Sequence, residues 1–223
     1  DGRILVPGWT PLAIPDAVRA ACSAIVTEDL PGAPSADPGW GEPGMSRAER
    51  IFMWTSVVVL ASVSGEPASP VNAVGGSARA RIQVRHTVDV AAADIIPALR
   101  AHLDAQGLTM VRIEPVTERQ YFPPSRTDPD DPWVRRIVRS IEHTAGRPAN
   151  VVPNIAASGP SEFFREALGT PVVWIPLSYG GCSQHGPNEH GLASLFREGL
   201  GQVAGLWWDI GEAGAHPPQG AGA

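Results

Sequence analysis

The residues best suited to chemistry lie together in one short segment near the C-terminal end of the chain. The segment 178–190, Ser-Tyr-Gly-Gly-Cys-Ser-Gln-His-Gly-Pro-Asn-Glu-His, contains two histidines, a glutamate, serines and a thiol. It follows a short apolar run, 171–177, and precedes a helical pattern that begins at Leu192. Loops that follow the strands of α/β sheets are where binding sites are usually built. This loop is therefore the first candidate for a functional site.

His185 has three possible roles in such a loop: metal ligand, general acid or base, or a hydrogen-bonding partner of its own backbone. The spacing alone does not decide among them. His190, at the start of the following helical pattern, is interpreted as structural, and Cys182 as a small buried residue unless a basic neighbour activates its thiol. Pro187 has no N–H group and Asn188 is a natural helix cap, so we predict a fixed loop.

A second candidate group lies on a predicted strand. Residues 78–85 alternate small or apolar side chains with polar ones, which is typical of a half-buried strand. Arg79, Arg81, Gln83 and Arg85 would then share one face. That face is either simply solvated, or Arg85 at the strand end grips a substrate carboxylate with two parallel hydrogen bonds.

The remaining sequence supplies the elements that position these residues. Pro15 opens a helical pattern, and Ser46 with Glu49 forms a capping-box signature. Asp131 followed by Pro132 predicts a helix that runs to about residue 143. The other predicted elements are helices over 94–106, 158–169 and 192–210, the last with core candidates Leu195, Leu200, Val203, Leu206 and Trp207, and strands over 55–63, 109–115 and 172–177.

Composition excludes several classes of protein. The chain has 223 residues, 43% hydrophobic and 18% charged, and reads as globular. A net charge of −6 without a basic block argues against nucleic acid and anionic membranes as partners. Two cysteines are too few for a disulfide framework. With no visible signal peptide or membrane-spanning window, a cytoplasmic location is predicted.

Several segments together resemble one enzyme family. Gln184–Glu189 looks like the last zinc-ligand motif of the dinuclear zinc exopeptidases, which include aminoacylase, carnosinase-type dipeptidases, glutamate carboxypeptidases and succinyl-diaminopimelate desuccinylase. Residues 1–8 resemble a turn of the family's lid domain, and 72–85 resemble the lid strand that ends in a substrate-binding arginine. Residues 158–169 resemble the helix before the last ligand strand. The match runs over nearly the whole chain, in order, and is closest to the dipeptidase branch.

The resemblance implies a fold and a domain organisation. The expected fold class is α/β, with a ferredoxin-like α+β lid followed by the C-terminal α/β portion of the catalytic domain. The lid is expected over 1–120, without its first strand, the catalytic portion over 121–211, and a disordered tail over 212–223. Because lids of this family commonly pair across a two-fold axis, the resemblance also implies a homodimer.

The resemblance further implies metal-assisted hydrolysis of an amide bond in a dipeptide or an N-acyl amino acid, with two zinc ions as cofactors. His185 would bind one of these ions. Arg85, Asn72 and the turn at Ser158 and Gly159 would hold the substrate. Most family ligands lie upstream of the point where this chain begins, so we expect no catalytic residue here and no hydrolysis by the chain alone. The alternative is a non-catalytic relative that dimerises or binds a small molecule.

Overall fold

The computed structural model describes residues 2–25, 37–115, 121–155, 157 and 159–212. Ser158 and the predicted tail beyond residue 212 lie outside these ranges. In chain order the elements are α1 (Asp16–Ala24), α2 (Arg47–Phe52), β1 (Ser56–Ser64), β2 (Ala78–Arg85), α3 (Ala92–Ala105), α4 (Pro132–Ala145), α5 (Ser161–Leu168) and α6 (Ala193–Glu212). Within the described ranges, every helix is too short or too polar to cross a bilayer.

Two helix starts follow directly from their capping residues. At α2, Ser46 Oγ accepts the Glu49 N–H at 3.2 Å, and the Glu49 carboxylate accepts the Ser46 N–H at 2.7 Å. This reciprocal pair satisfies two N–H groups that the first turn leaves free, which confirms the predicted capping box. At α4, Asp131 Oδ1 accepts the Trp133 N–H at 2.8 Å, and Gly146 closes the helix in the left-handed conformation with φ of 67°.

The two strands form one antiparallel hairpin. Ser56 lies opposite Arg85, Ser64 lies opposite Ala78, and the register shifts at Leu60, which is left unpaired in a bulge. The far end of the hairpin is exposed, whereas the last three residues of β2 are partly buried. The strand over 78–85 is confirmed, but its burial does not alternate as predicted, because only its last three residues, which include Arg85, reach partly buried surroundings.

The small hydrophobic core lies between α1 and α2. It consists of Val18, Cys22 and Met53, each at most 2% exposed. Burial raises the pKa of the Cys22 thiol, which keeps it protonated and unreactive. The distant Asn154 side chain donates to the Phe52 carbonyl at 2.7 Å, so the end of α2 is also tied to the C-terminal half of the chain.

Two predicted strands are wrong. Over 109–115 the backbone is irregular, because the Arg100 guanidinium takes the Leu108 and Val111 carbonyls that a strand would offer to a neighbour. Residues 172–177 belong to no strand. There the Thr127 hydroxyl donates to the Val172 carbonyl at 2.7 Å and accepts its N–H at 3.1 Å, which occupies both backbone groups of that residue.

The predicted core face of α6 is also wrong in part. Leu195 and Leu206 are half-buried, but Leu200 is 72% and Trp207 69% exposed. The reason is the side on which α6 packs: Gly201 and Gly205 lie against Thr144 of α4, and the larger apolar side chains point away from that contact. An apolar stripe of Phe196, Leu200, Val203 and Trp207 is therefore left exposed.

The negative charge of Glu49, in the capping box of α2, is predicted to stabilise the fold. The pKa of Glu49 lies below its ordinary value, chiefly because its carboxylate accepts the Ser46 backbone N–H, and an ion pair with Arg19 at 2.9 Å adds to this. Because the folded pKa is depressed, the ionised group stabilises the fold above its unfolded pKa. That stabilisation is lost as pH falls through the folded pKa.

We expect Glu49→Gln to lower the free energy of unfolding by about 1 kcal/mol near neutral pH, since glutamine keeps the cap but not the charge. Urea unfolding should show this difference shrinking towards zero well below the ordinary glutamate pKa. Glu114→Gln, at an exposed position, serves as the control and should change little. A difference that is the same at both pH values would contradict the assignment.

Candidate metal-ligand loop and its surroundings

The loop that carries the candidate residues, Ser178–His190, is closed by backbone hydrogen bonds at its base. Cys182 is 5% exposed, which confirms its predicted burial, and its N–H donates to the Tyr179 carbonyl at 3.1 Å. The His190 N–H donates to the Cys182 carbonyl at 3.0 Å. Cys182 and His190 are thus the two ends of a closed turn, and the seven residues between them, 183–189, form its tip.

The tip has an unusual backbone. Ser183, His185 and Asn188 all have positive φ, at 57°, 60° and 61°. For residues other than glycine, this conformation costs about 1–2 kcal/mol, with asparagine the most tolerant. Asn188 was predicted to cap the following helix, but α6 begins only at Ala193, so that prediction is wrong. Its tolerance of positive φ explains the asparagine instead.

His185 lies at the centre of this tip and is exposed. Its backbone N–H donates to Glu189 Oε2 at 3.3 Å, and the next N–H, that of Gly186, donates to the Ser183 carbonyl at 2.7 Å. The backbone of His185 is therefore held on both sides by the loop itself. The imidazole projects from a fixed position rather than from a free coil.

His190 is the second histidine of the loop, and both of its ring nitrogens have partners. Nδ1 lies 2.9 Å from the Asn188 carbonyl oxygen, and Nε2 lies 2.7 Å from the Tyr179 hydroxyl. Sequence analysis interpreted His190 as structural and overlooked Tyr179 altogether. The pattern Tyr-Gly-Gly-Cys before the loop gives no sign that the phenol returns to the other end of it.

A cavity of about 370 Å³ opens beside the loop. It is lined by Leu177, Ser178, Cys182, Gln184, Glu189, His190, Gly191 and Phe196. The lining mixes apolar walls with a carboxylate and an amide, as small-ligand sites do. Arg85 is not among these lining residues, so the loop cavity and the predicted arginine are not brought together within it.

For a metal ion, the donor set of the described residues falls short. Zinc sites use at least three protein ligands. Within the ranges that the structure describes, no three His, Cys, Asp or Glu side chains are grouped closely enough to hold one ion. His185 supplies at most a single ligand there, so these residues do not by themselves fit one zinc ion, and still less two.

The other predicted site residues lie apart from the loop. Arg85, at the end of β2, donates through Nε to Gln83 at 3.2 Å. Asn72 is exposed in the turn region between the strands. Gly159 packs closely under Trp174, since a Cβ there would lie 3.1 Å from the indole ring. Ser158 lies outside the described residues.

A larger cavity of about 540 Å³, which sequence analysis missed, lies where the segment after β2 meets the start of α5. Arg126 pairs with Asp89 at 2.9 and 3.0 Å, and Arg165 pairs with Glu162 at 2.7 and 2.6 Å. The Arg165 hydrogen bonds hold the pKa of Glu162 below its usual range. Burial, with a smaller contribution from Glu162, raises the pKa of Tyr121.

The rings of Tyr121 and His86 are parallel in the same cavity, with centroids 6.2 Å apart. The segment 121–127 was predicted only as a domain boundary. Its Tyr-Phe-Pro-Pro-Ser-Arg composition could have indicated an anchored crossing rather than a linker, because it combines aromatic rings with a guanidinium.

Comparison with known proteins gives a fold. No protein-family model matches the sequence, and no curated protein does. Solved structures that do match include an M20 family metallo-carboxypeptidase from Sulfolobus solfataricus, with a TM-score of 0.68 and 18% identity over 92% of this chain and 48% of that one. The dipeptidase Dug1p from Saccharomyces cerevisiae gives 0.71 and 17%, over 95% and 46%. Human carnosine dipeptidase 1 gives 0.64 and 18%, over 95% and 46%.

The chain spans about half the length of these solved structures. Its helices and small antiparallel sheet follow theirs over almost its whole length, which confirms the predicted α/β fold class. The fold is therefore that of the M20 metallopeptidases, as the resemblance in sequence indicated.

Proposed function

We propose that this chain is the lid and the C-terminal catalytic portion of a metal-dependent exopeptidase that cleaves a dipeptide or an N-acyl amino acid. The observation that carries the proposal is the fold shared with peptidases over more than nine-tenths of the chain. An exposed histidine on a fixed loop, at the position that resembles a ligand motif, supports it. Zinc is the proposed metal, because imidazole is among its preferred ligands.

Within this proposal each predicted site residue has a separate task. His185 is one metal ligand. Arg85 holds a substrate carboxylate, with the backbone turn at Ser158 and Gly159 as a further substrate contact. Asn72, in the turn at the other end of the hairpin, is proposed as a separate substrate contact. The partly buried position of Arg85 at the end of β2 supports its role, because a guanidinium removed from bulk water binds a carboxylate more strongly.

The chain by itself is not proposed to hydrolyse peptides. Activating a water molecule with metal ions requires a complete ligand set, and His185 is a single ligand. Completing the site requires donors beyond the described residues. We also propose that the protein works in the cytoplasm, because both of its cysteines, Cys22 and Cys182, are free, as they would be in a reducing compartment.

Calorimetric titration with zinc tests the single-ligand proposal. We expect the chain to show no tight, stoichiometric uptake of two ions. Any weak heat of binding should fall on His185→Asn, which removes the imidazole, and should survive His143→Asn at an exposed position on α4. Tight binding of two zinc ions by this chain would contradict the proposal.

The alternative is a non-catalytic protein that keeps the fold and binds a small molecule or a second copy. No three-ligand cluster lies within the described ranges, and both functions are consistent with that. The coding DNA upstream of Asp1 separates the two functions. For the peptidase we expect an in-frame segment with a His-x-Asp motif and a Glu-Glu pair, whereas a stop codon directly upstream would favour the non-catalytic protein.

We further propose a homodimer formed through the lid hairpin. The exposed apolar side chains of β1 support this, because Val58, Val59, Leu60 and Val63 are each more than two-fifths exposed. Light scattering at micromolar concentration should give twice the mass of the chain. Val59→Lys should shift the mass towards the monomer, while Val74→Lys, in the exposed turn between the strands, should not. A strict monomer for the unaltered chain would overturn the proposal.

A further inference from the structure

We propose that His190 and Tyr179 are positioning residues that hold the tip of the Ser178–His190 loop in its strained form and so preorganise the His185 imidazole. This inference rests on the proposed function in one respect: that function makes the positioned imidazole of His185 a metal ligand. The positioning itself is a property of the metal-free chain. It follows from three features of the loop.

The first feature is the double anchoring of the His190 ring. Nδ1 faces a carbonyl oxygen, that of Asn188 at 2.9 Å, and a carbonyl can only accept, so Nδ1 carries a proton. In the neutral ring Nε2 is then an acceptor, and the Tyr179 hydroxyl at 2.7 Å donates to it. The ring thus links Tyr179, which precedes the closed turn, to Asn188, the last residue of the tip with positive φ.

The second feature is the geometry of that bridge. Tyr179 and His190 meet edge to face, with centroids 5.8 Å apart and planes inclined by 74°. The turn is also closed through the backbone. The Tyr179 carbonyl accepts the Cys182 N–H, and the Cys182 carbonyl accepts the His190 N–H. Side chains and backbone therefore close one ring of contacts around the tip.

The third feature is what the ring of contacts encloses. All non-glycine residues with positive φ in the described ranges, namely Ser183, His185 and Asn188, lie inside it. A strained backbone persists only where its surroundings over-determine it. His185 is exposed, and the hydrogen bonds that hold its backbone, to Glu189 and through Gly186 to Ser183, lie within the tip, so the closing contacts at the base act with them to maintain its φ of 60°.

Two-dimensional NMR of the metal-free chain tests the first feature without any variant. The nitrogen-15 shifts of the His190 ring should report a protonated Nδ1 near neutral pH. A neutral ring protonated only at Nε2 would overturn the proposal, because the bond to Asn188 could not then exist.

Tyr179→Phe tests the Tyr179–His190 clamp, the hydrogen-bonded pair that closes the tip, by deleting one hydroxyl. In the unaltered chain, strong intraresidue amide-to-Hα cross-peaks should mark positive φ at Ser183 and His185. We expect the variant to weaken them by raising the population of open loop about fivefold, the value of one ordinary hydrogen bond. Tyr121→Phe removes the only other phenol in the chain and should leave the loop cross-peaks unchanged.

Two substitutions of His190 separate positioning from bulk. His190→Asn retains a donor near the Nδ1 position and should preserve the Asn188 φ, whereas His190→Gln places its amide near Nε2 and should lose it. If both variants keep the cross-peaks of Ser183 and His185, His190 does not position the tip. If both lose them while the α4 and α6 resonances stay in place, the imidazole is required as a whole and the positioning role stands.

The metal titration keeps this inference distinct from the proposed function. One outcome is that Tyr179→Phe loses the loop cross-peaks while the unaltered chain binds no zinc. This outcome would support the clamp, and the ligand role of His185 would then have to be tested in a protein with the complete metal site. Unchanged cross-peaks in Tyr179→Phe would overturn the clamp, whatever the zinc titration gives.

Discussion

The candidate site depends on the closure of one loop at its base. Cys182 is buried and has backbone hydrogen bonds to both Tyr179 and His190. Everything between these residues is exposed or nearly so, and three of its backbone angles are unfavourable. The energy for that geometry therefore comes from the base, where a buried thiol, two backbone hydrogen bonds and an imidazole–phenol pair are concentrated. Glu189 and Ser183 hold the backbone of His185 within the tip, and the base holds the tip as a whole.

A second constraint ties the segment after the β1–β2 hairpin to the rest of the chain. Arg126 pairs with Asp89, which lies four residues after β2 ends. Arg126 is only 12% exposed in its side chain, so this pair is shielded more than an ordinary surface ion pair. The pair joins residues 37 positions apart in the chain.

The parts that sequence predicted well are those set by local chemistry. The capping box at Ser46 and the Asp131 cap depend on residues within one turn, and both were found. The two strands of the hairpin were predicted one by one, but their pairing was not. The failures share the opposite property. Arg100 binds the Val111 carbonyl from 11 residues away, and Thr127 binds Val172 from 45 residues away, and the periodicity of side chains along a strand encodes neither contact.

The candidate site divides in the same way. His185 and Arg85 were found through a resemblance to motifs, which records residue type and spacing. Tyr179 was missed because its role depends on where a loop returns, and the loop returns through backbone angles that only the three-dimensional fold specifies. Tyr179, which was not predicted, supports the strained tip, whereas the predicted His185 lies within it. A motif marks the group that meets a ligand, but the groups that hold it in place lie at positions where many residue types would satisfy the motif.

The three unfavourable angles of the loop persist only if surrounding contacts maintain them. Here the hydrogen bonds of Cys182 and His190 maintain them. A ligand fixed in this way loses little conformational entropy when it binds an ion, because that entropy has already been lost during folding. Under the proposed function, the loop would present His185 in a fixed position to a site whose other ligands lie beyond the described residues.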